Sequence, residues 1–181
     1  MKINMEVNRF NLQPDILEDD LIRIIPLKEN DFERLFTVAS DPLIWELHPI
    51  KDRYKREVFL AYFDSAVESK GAFLVFAKET NELIGSTRFY ELLPDYSSVT
   101  IGFTFLARKY WGGMYNRSMK KLLIDYAFKY VDSVKFRIGS GNFRSQKAIL
   151  KIGAKRIYDP NQINDKELAN FEYEIKKEDW K

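Results

Sequence analysis

The sequence predicts an α+β fold, a mixed but mostly antiparallel central sheet of about seven strands flanked by helices, in the order β-α-α-β-β-β-α-β-α-β-β. Three observations carry this expectation. Short runs rich in β-branched and aromatic residues recur along the chain, and two of them flank a tight turn at Glu79-Thr-Asn-Glu82. Helical periodicity is clean over residues 116–130, where Met119, Leu122, Leu123, Tyr126, Ala127 and Tyr130 share one face. No repeat, low-complexity tract or linker interrupts the chain.

Taken in order, residues 21–27 read as a strand closing on a proline. Helical stretches follow over 29–39 and 54–69, the second striped by Val58, Ala61, Tyr62, Ser65 and Ala66. Residues 72–77 and 82–90 form a hairpin, and 99–106 the next strand. After the helix at 116–130 comes a strand at 134–138, a helix from 145 to about 152 ended by Gly153, and a strand at 155–158. The alternating Phe171-Glu-Tyr-Glu-Ile175 is expected to close the chain as an edge strand, through which a homodimer could pair.

At 181 residues the chain is expected to be one domain, with residues 1–19 as an N-terminal extension. Its 45% apolar and 15% aromatic content is that of a globular chain. Cysteine is absent, which excludes disulfides and thiolate metal sites, and one histidine leaves a structural zinc centre unsupported. The first ten residues lack the apolar core of a signal peptide, and no apolar run approaches a membrane span, so a cytoplasmic protein without a membrane partner is expected.

The net charge of +2 conceals an asymmetry. Residues 96–124 and 133–158 hold twelve Lys or Arg and no acid, whereas the remainder carries a balance of −10. Such a segment attracts anions without making the whole protein basic. Arg117, Lys120 and Lys121 fall in the first turns of the helix at 116–130, where the macrodipole is already positive. An anion at that helix start, phosphate above all, accounts for them. No Walker-type loop exists, and Gly139-Ser-Gly141 has Arg144 where a dinucleotide fingerprint needs its third glycine. A nucleic-acid partner is not expected, because the bases cluster at a helix start and do not spread along a face with exposed aromatics.

Two motifs carry a family resemblance. The strand at 100–106 followed by Tyr110-Trp-Gly-Gly-Met-Tyr-Asn116 is similar to the strand and Trp-Gly-Lys-Gly-Tyr-Ala loop of GNAT N-acetyltransferases, in the branch of ribosomal-protein alanine acetyltransferases. Asn142-Phe-Arg-Ser145 with Lys151-Ile-Gly-Ala154 resembles that branch's Asn-x-x-Ser…Lys-x-Gly-Phe signature, alanine replacing the final aromatic. The resemblance spans most of residues 20–176. It implies acetyl-CoA as acyl donor and an amine as acceptor. It further implies that the backbone of Phe105 and Leu106 pairs with the pantetheine arm, and that Asn142 bonds the arm from the far side. The loop headed by Trp111 would present N–H groups from Gly112, Gly113, Met114, Tyr115, Asn116 and Arg117 to the pyrophosphate. Arg108, Lys109, Arg117 and Lys120 are the phosphate candidates.

The chain departs from the pattern at Met114 and Asn116, where the family has small residues; Asn116 could instead cap the helix. Acyl transfer to an amine requires a neutral amine, a stabilised oxyanion and a proton for the thiolate. Many relatives place a glutamate on the central strand and a tyrosine after the asparagine motif; Val99, Thr100 and Ile149 stand there instead. By resemblance Ser145 is the candidate acid. His48, the only histidine, is the candidate base in the segment expected to wall the acceptor site. A CoA-binding sensor domain without turnover is the alternative.

Overall fold

The apolar runs form the strands they predict. The computed structural model describes residues 10–93, 95, 97–158 and 170–181. Its strands are β1 Leu17–Glu18, β2 Ile22–Pro26, β3 Ala72–Ala77, β4 Glu82–Tyr90, β5 Ser98–Leu106, β6 Ser133–Gly139, β7 Lys155–Tyr158 and β8 Asn170–Lys176. The α-helices are α1 Phe32–Ala39, α2 Arg56–Glu68, α3 Met114–Ala127 and α4 Phe143–Leu150. One sheet runs in the order β1-β2-β3-β4-β5-β6-β8-β7. Every neighbouring pair is antiparallel except β5 and β6, which are parallel and joined through α3.

Helices cover both faces, which explains why β3 is an unbroken apolar run. Its Phe73, Val75 and Ala77 pack in one cluster with Met119, Leu123 and Ile124 of α3. Ala72, Leu74 and Phe76 face the other way, toward Leu35 of α1 and Phe59 and Phe63 of α2. Each fully buried large side chain contributes about 1.5–3 kcal/mol, so both layers are needed to hold the sheet.

Four features differ from the sequence expectation. Among the described residues there are eight strands against about seven expected, the two-residue β1 being the addition. The C-terminal strand is not an edge: β8 lies between β6 and β7, and β7 is the outer strand. Alternation reports only which face is buried. Phe171, Tyr173 and Ile175 enter the core, while Glu172 and Glu174 take hydrogen bonds from Arg137 and Ser133. Residues 10–18 are not a free extension, since Phe10 packs on Phe89, Tyr126 and Tyr130, and Leu17–Glu18 pairs with β2; residues 1–9 lie outside the described residues. Lastly, α3 begins at Met114 with Gly113 as its N-cap, so Asn116 is the third helical residue and not the cap.

The topology leaves a fork. β5 and β6 pair only from Ser98↔Ser133 to Thr100↔Lys135. Beyond that point β5 stays with β4 as far as Leu106, and β6 stays with β8 as far as Gly139, so the two strands part. A bulge bends β5 there. Phe103 adopts φ 51°, the β4–β5 register shifts across Thr87, and Tyr62 donates its hydroxyl to the Phe103 carbonyl at 2.8 Å.

β5 also presses against Gly85 of β4, where an added Cβ would lie 2.0 Å from the Phe105 carbonyl. Gly85→Ala is therefore expected to cost about 1–3 kcal/mol in urea unfolding, because the obstruction is backbone. An unchanged midpoint would show that β4 and β5 are looser than described.

Candidate functional site

The fork between β5 and β6 opens into a cleft of about 460 Å³. Its walls come from β5, β6, the loop before α3, the first turns of α3 and α4, and the loop carrying Ile44, Trp45 and His48. Two helix starts meet at this cleft. Gly113 caps α3 without a side-chain hydrogen bond, so the first N–H groups of the helix are not taken by a cap. Gly112 has φ 71°, which favours glycine, and a Cβ on either Gly112 or Gly113 would face open space. Across the cleft, Asn142 caps α4 by accepting from the Ser145 N–H at 3.2 Å.

Both helix dipoles thus place positive ends at the cleft, and cations add to them. Arg117 lines it from α3; Arg144, Lys147 and Lys151 line it from one face of α4 and its C-cap. Arg144 stacks 3.7 Å from the Trp111 ring centroid and donates to the Ile44 carbonyl at 3.1 Å, tying three parts of the wall together. Among the described residues, no aspartate or glutamate lines this cleft.

The predicted site residues separate into groups. Phe105, Leu106, Trp111, Gly112, Gly113, Asn116, Arg117, Asn142, Ser145 and His48 all line the cleft. The Phe105 carbonyl, however, points at Gly85 of β4. The Leu106 carbonyl accepts from Trp111 Nε1 at 2.8 Å, so it is already engaged. Arg108 and Lys109 lie outside the cleft and are paired with Asp41 at 2.5 Å and Glu82 at 2.7 Å. Met114 is exposed, and Tyr115 packs edge-on against Tyr110. Ser145 is the third residue of α4, held by the Asn142 cap.

Lys120 is far from the helix start. It is only 5% exposed, its Nζ donates to Thr104 Oγ1 at 2.9 Å, and it lies 5.6 Å from the Phe136 ring centroid. Burial pushes its pKa down to about 7.

Sequence reasoning missed Arg144, Lys147 and Lys151 as cleft residues. Their signal was present as positions i, i+3 and i+7 of a single short helix.

Two buried arginines lie behind the wall that carries His48. Arg53 is 7% exposed and sits 5.2 Å and 4.9 Å from the Trp45 and Tyr62 rings. Arg88, 3% exposed, stacks 4.0 Å from Phe103 and donates to Ser65 at 3.0 Å. Neither has a carboxylate partner among the described residues, so aromatic faces hold both cations. His48 Nδ1 faces the Ile50 N–H at 2.9 Å and Nε2 faces Arg53 Nη1 at 3.1 Å. Burial, aided by Arg53, lowers its pKa to about 4. Whichever nitrogen holds the lone pair, a donor already faces it, which argues against a base role.

Comparisons with known proteins agree with this architecture. The acetyltransferase (GNAT) domain family matches residues 22–155. No curated protein matches the chain. Among solved structures, the chain is similar to a GNAT-family acetyltransferase from Bacillus anthracis, with a TM-score of 0.72 and 20% identity over 90% of this chain and 99% of that one. It also resembles Mycobacterium smegmatis RimJ in complex with CoA-disulfide, at 0.66 and 13% over 92% and 87%. A third likeness is to spermidine N-acetyltransferase from Vibrio cholerae in complex with CoA and spermine, at 0.68 and 12% over 89% and 98%.

The His48 environment gives a direct check. A free histidine takes its proton near pH 6.5, whereas this one holds out to about 4. The folded state therefore binds fewer protons in between, and the stability owed to His48 is full above 6.5 and declines as pH falls toward 4. The single histidine C–H resonance in proton NMR is expected to titrate with a midpoint near 4; a midpoint near 6.5 would contradict the burial.

Proposed function

The chain belongs to the GNAT acetyltransferase family, and from that premise we propose that it transfers an acetyl group from acetyl-CoA, taken up along the β5–β6 cleft, to a primary amine. The observation that carries the reading is the convergence of two helix starts and the rim cations Arg117, Arg144, Lys147 and Lys151 on one cleft that no aspartate or glutamate lines among the described residues. A ligand with a pyrophosphate and a further phosphate at one end suits that rim, and its long uncharged arm suits the apolar fork beyond.

In this reading the N–H groups at Gly113, Met114 and Tyr115 hold the pyrophosphate. Arg117, Arg144, Lys147 and Lys151 supply its counter-charge and that of the remaining phosphate. The cleft-facing edge of β5 offers an unpaired backbone row to the arm in the manner of an added strand, and Leu106 joins it only by releasing the Trp111 indole. Asn142 uses its carbonyl as the helix cap, which leaves its amide N–H groups for the arm. The acceptor amine enters from the wall formed by Trp45, His48 and the β5 bulge. The buried Arg53 and Arg88 behind that wall disfavour an ammonium and favour the neutral amine that must attack.

Isothermal titration with acetyl-CoA, followed by thiol release over a panel of peptides, polyamines and amino sugars, tests the proposal. Binding with turnover of at least one amine is expected; no heat with acetyl-CoA would overturn it. Asn142→Ala should weaken acetyl-CoA about tenfold and also cost about 1 kcal/mol of helix capping. Asn142→Ser keeps a capping oxygen, so it should restore stability while leaving the affinity low.

A further inference from the structure

Departure of the CoA sulfur as a thiolate calls for a proton, and the described cleft has few groups able to give one. Ser145 holds its hydroxyl proton too tightly to be an effective acid near neutrality. His48 is already neutral at that pH. Lys147 and Lys151 stand exposed in the last turn and at the C-cap of α4, on the rim of the cleft.

Lys120 is placed differently. It sits seven residues into α3, roughly 9 Å along the helix from its start, and it reaches the fork itself. Phe136 follows Lys135, the last β6 residue paired with β5, and Thr104 lies on β5 just beyond the bulge. The ammonium rests between the two at the deep end of the cleft. Its hydrogen-bonded neighbour Thr104 contacts Thr87 at 2.9 Å, so a pair of hydroxyls on one side and the Phe136 ring on the other face the ammonium. No carboxylate pairs with Lys120 among the described residues. Burying an ammonium is costly, and one hydrogen bond to a charged group offsets only part of that cost. A methionine would fill this position without that cost, which makes the lysine hard to account for as packing.

We propose that Lys120 is the proton donor to the departing CoA sulfur. This rests on the acetyl-transfer reading above, with the phosphates at the helix starts and the acyl end at the fork. The acceptor nitrogen attacks the acetyl carbon and the C–N bond forms. The C–S bond then breaks, its electron pair stays on sulfur, and Lys120 Nζ gives that sulfur a proton to yield the free thiol. The now neutral Nζ regains a proton from the one shed by the acceptor nitrogen. A group that titrates close to neutrality suits both halves of this exchange.

The test compares wild type with Lys120→Met and Lys120→Arg. The methionine variant should melt at the wild-type temperature or above and bind acetyl-CoA within about twofold by calorimetry, while kcat falls about 10²-fold. Arginine keeps the charge but does not release its proton, so it should leave kcat low. With the selenoester analogue of acetyl-CoA, whose selenol leaves readily as an anion, the defect of Lys120→Met should largely disappear. Full kcat in Lys120→Met, rescue by arginine, or a defect that persists with the selenoester would each overturn the assignment. A wild-type protein that binds acetyl-CoA but turns over no amine would overturn the acetyl-transfer reading, and this assignment with it.

Discussion

β5 and β6 share three paired positions and then separate, and almost everything else about the molecule answers to that separation. A parallel pair requires a crossover, and α3 supplies it; the crossover begins with a glycine turn, so a helix start is delivered to the mouth of the gap. Each strand keeps its outer partner, β4 for one and β8 for the other, so the gap widens without leaving either strand unsupported. The bulge at Phe103 allows β5 to bend away while the Tyr62 hydroxyl holds the displaced carbonyl. A sheet divided in this way presents backbone polar groups to a cleft without unfolding anything.

Electrostatics divides the two sides of β5. On the α3–α4 side, cations stand at the rim, where a phosphate can reach them, and one lysine is buried at the fork. On the α1–α2 side, Arg53 and Arg88 are held by aromatic rings and have no carboxylate partner among the described residues. An arginine stacked on rings costs less to bury than a bare ammonium, since its charge is delocalised and weakly hydrated. The two sides thus use different means to keep positive charge inside, and only the rim offers it to a ligand.

The strands and helices were legible because burial on one or both faces imposes periodicity. The element order followed the pattern nearly everywhere, and the loop from Trp111 to Asn116 stood out through its glycines and the cations after it. Lateral position was not legible: Phe171, Tyr173 and Ile175 announce a buried face equally well in an edge strand or an inner one. Pairing choices also escaped, because Arg108 and Lys109 look like phosphate ligands until Asp41 and Glu82, far away in sequence, take them. Lys120 reads as a charge near a helix start, but its depth depends on which way the second turn faces the fork.

The outer strands of the sheet have a consequence for how the protein behaves at high concentration. β1 offers two residues at one margin and β7 four at the other, with Lys155 and Arg156 opening the latter. Margins this short give an incoming strand few hydrogen bonds. The long, apolar, aggregation-prone strands, β3 and β4 among them, are sequestered between neighbours. Open-ended stacking of sheet on sheet is thereby discouraged, even though the sheet never closes into a barrel.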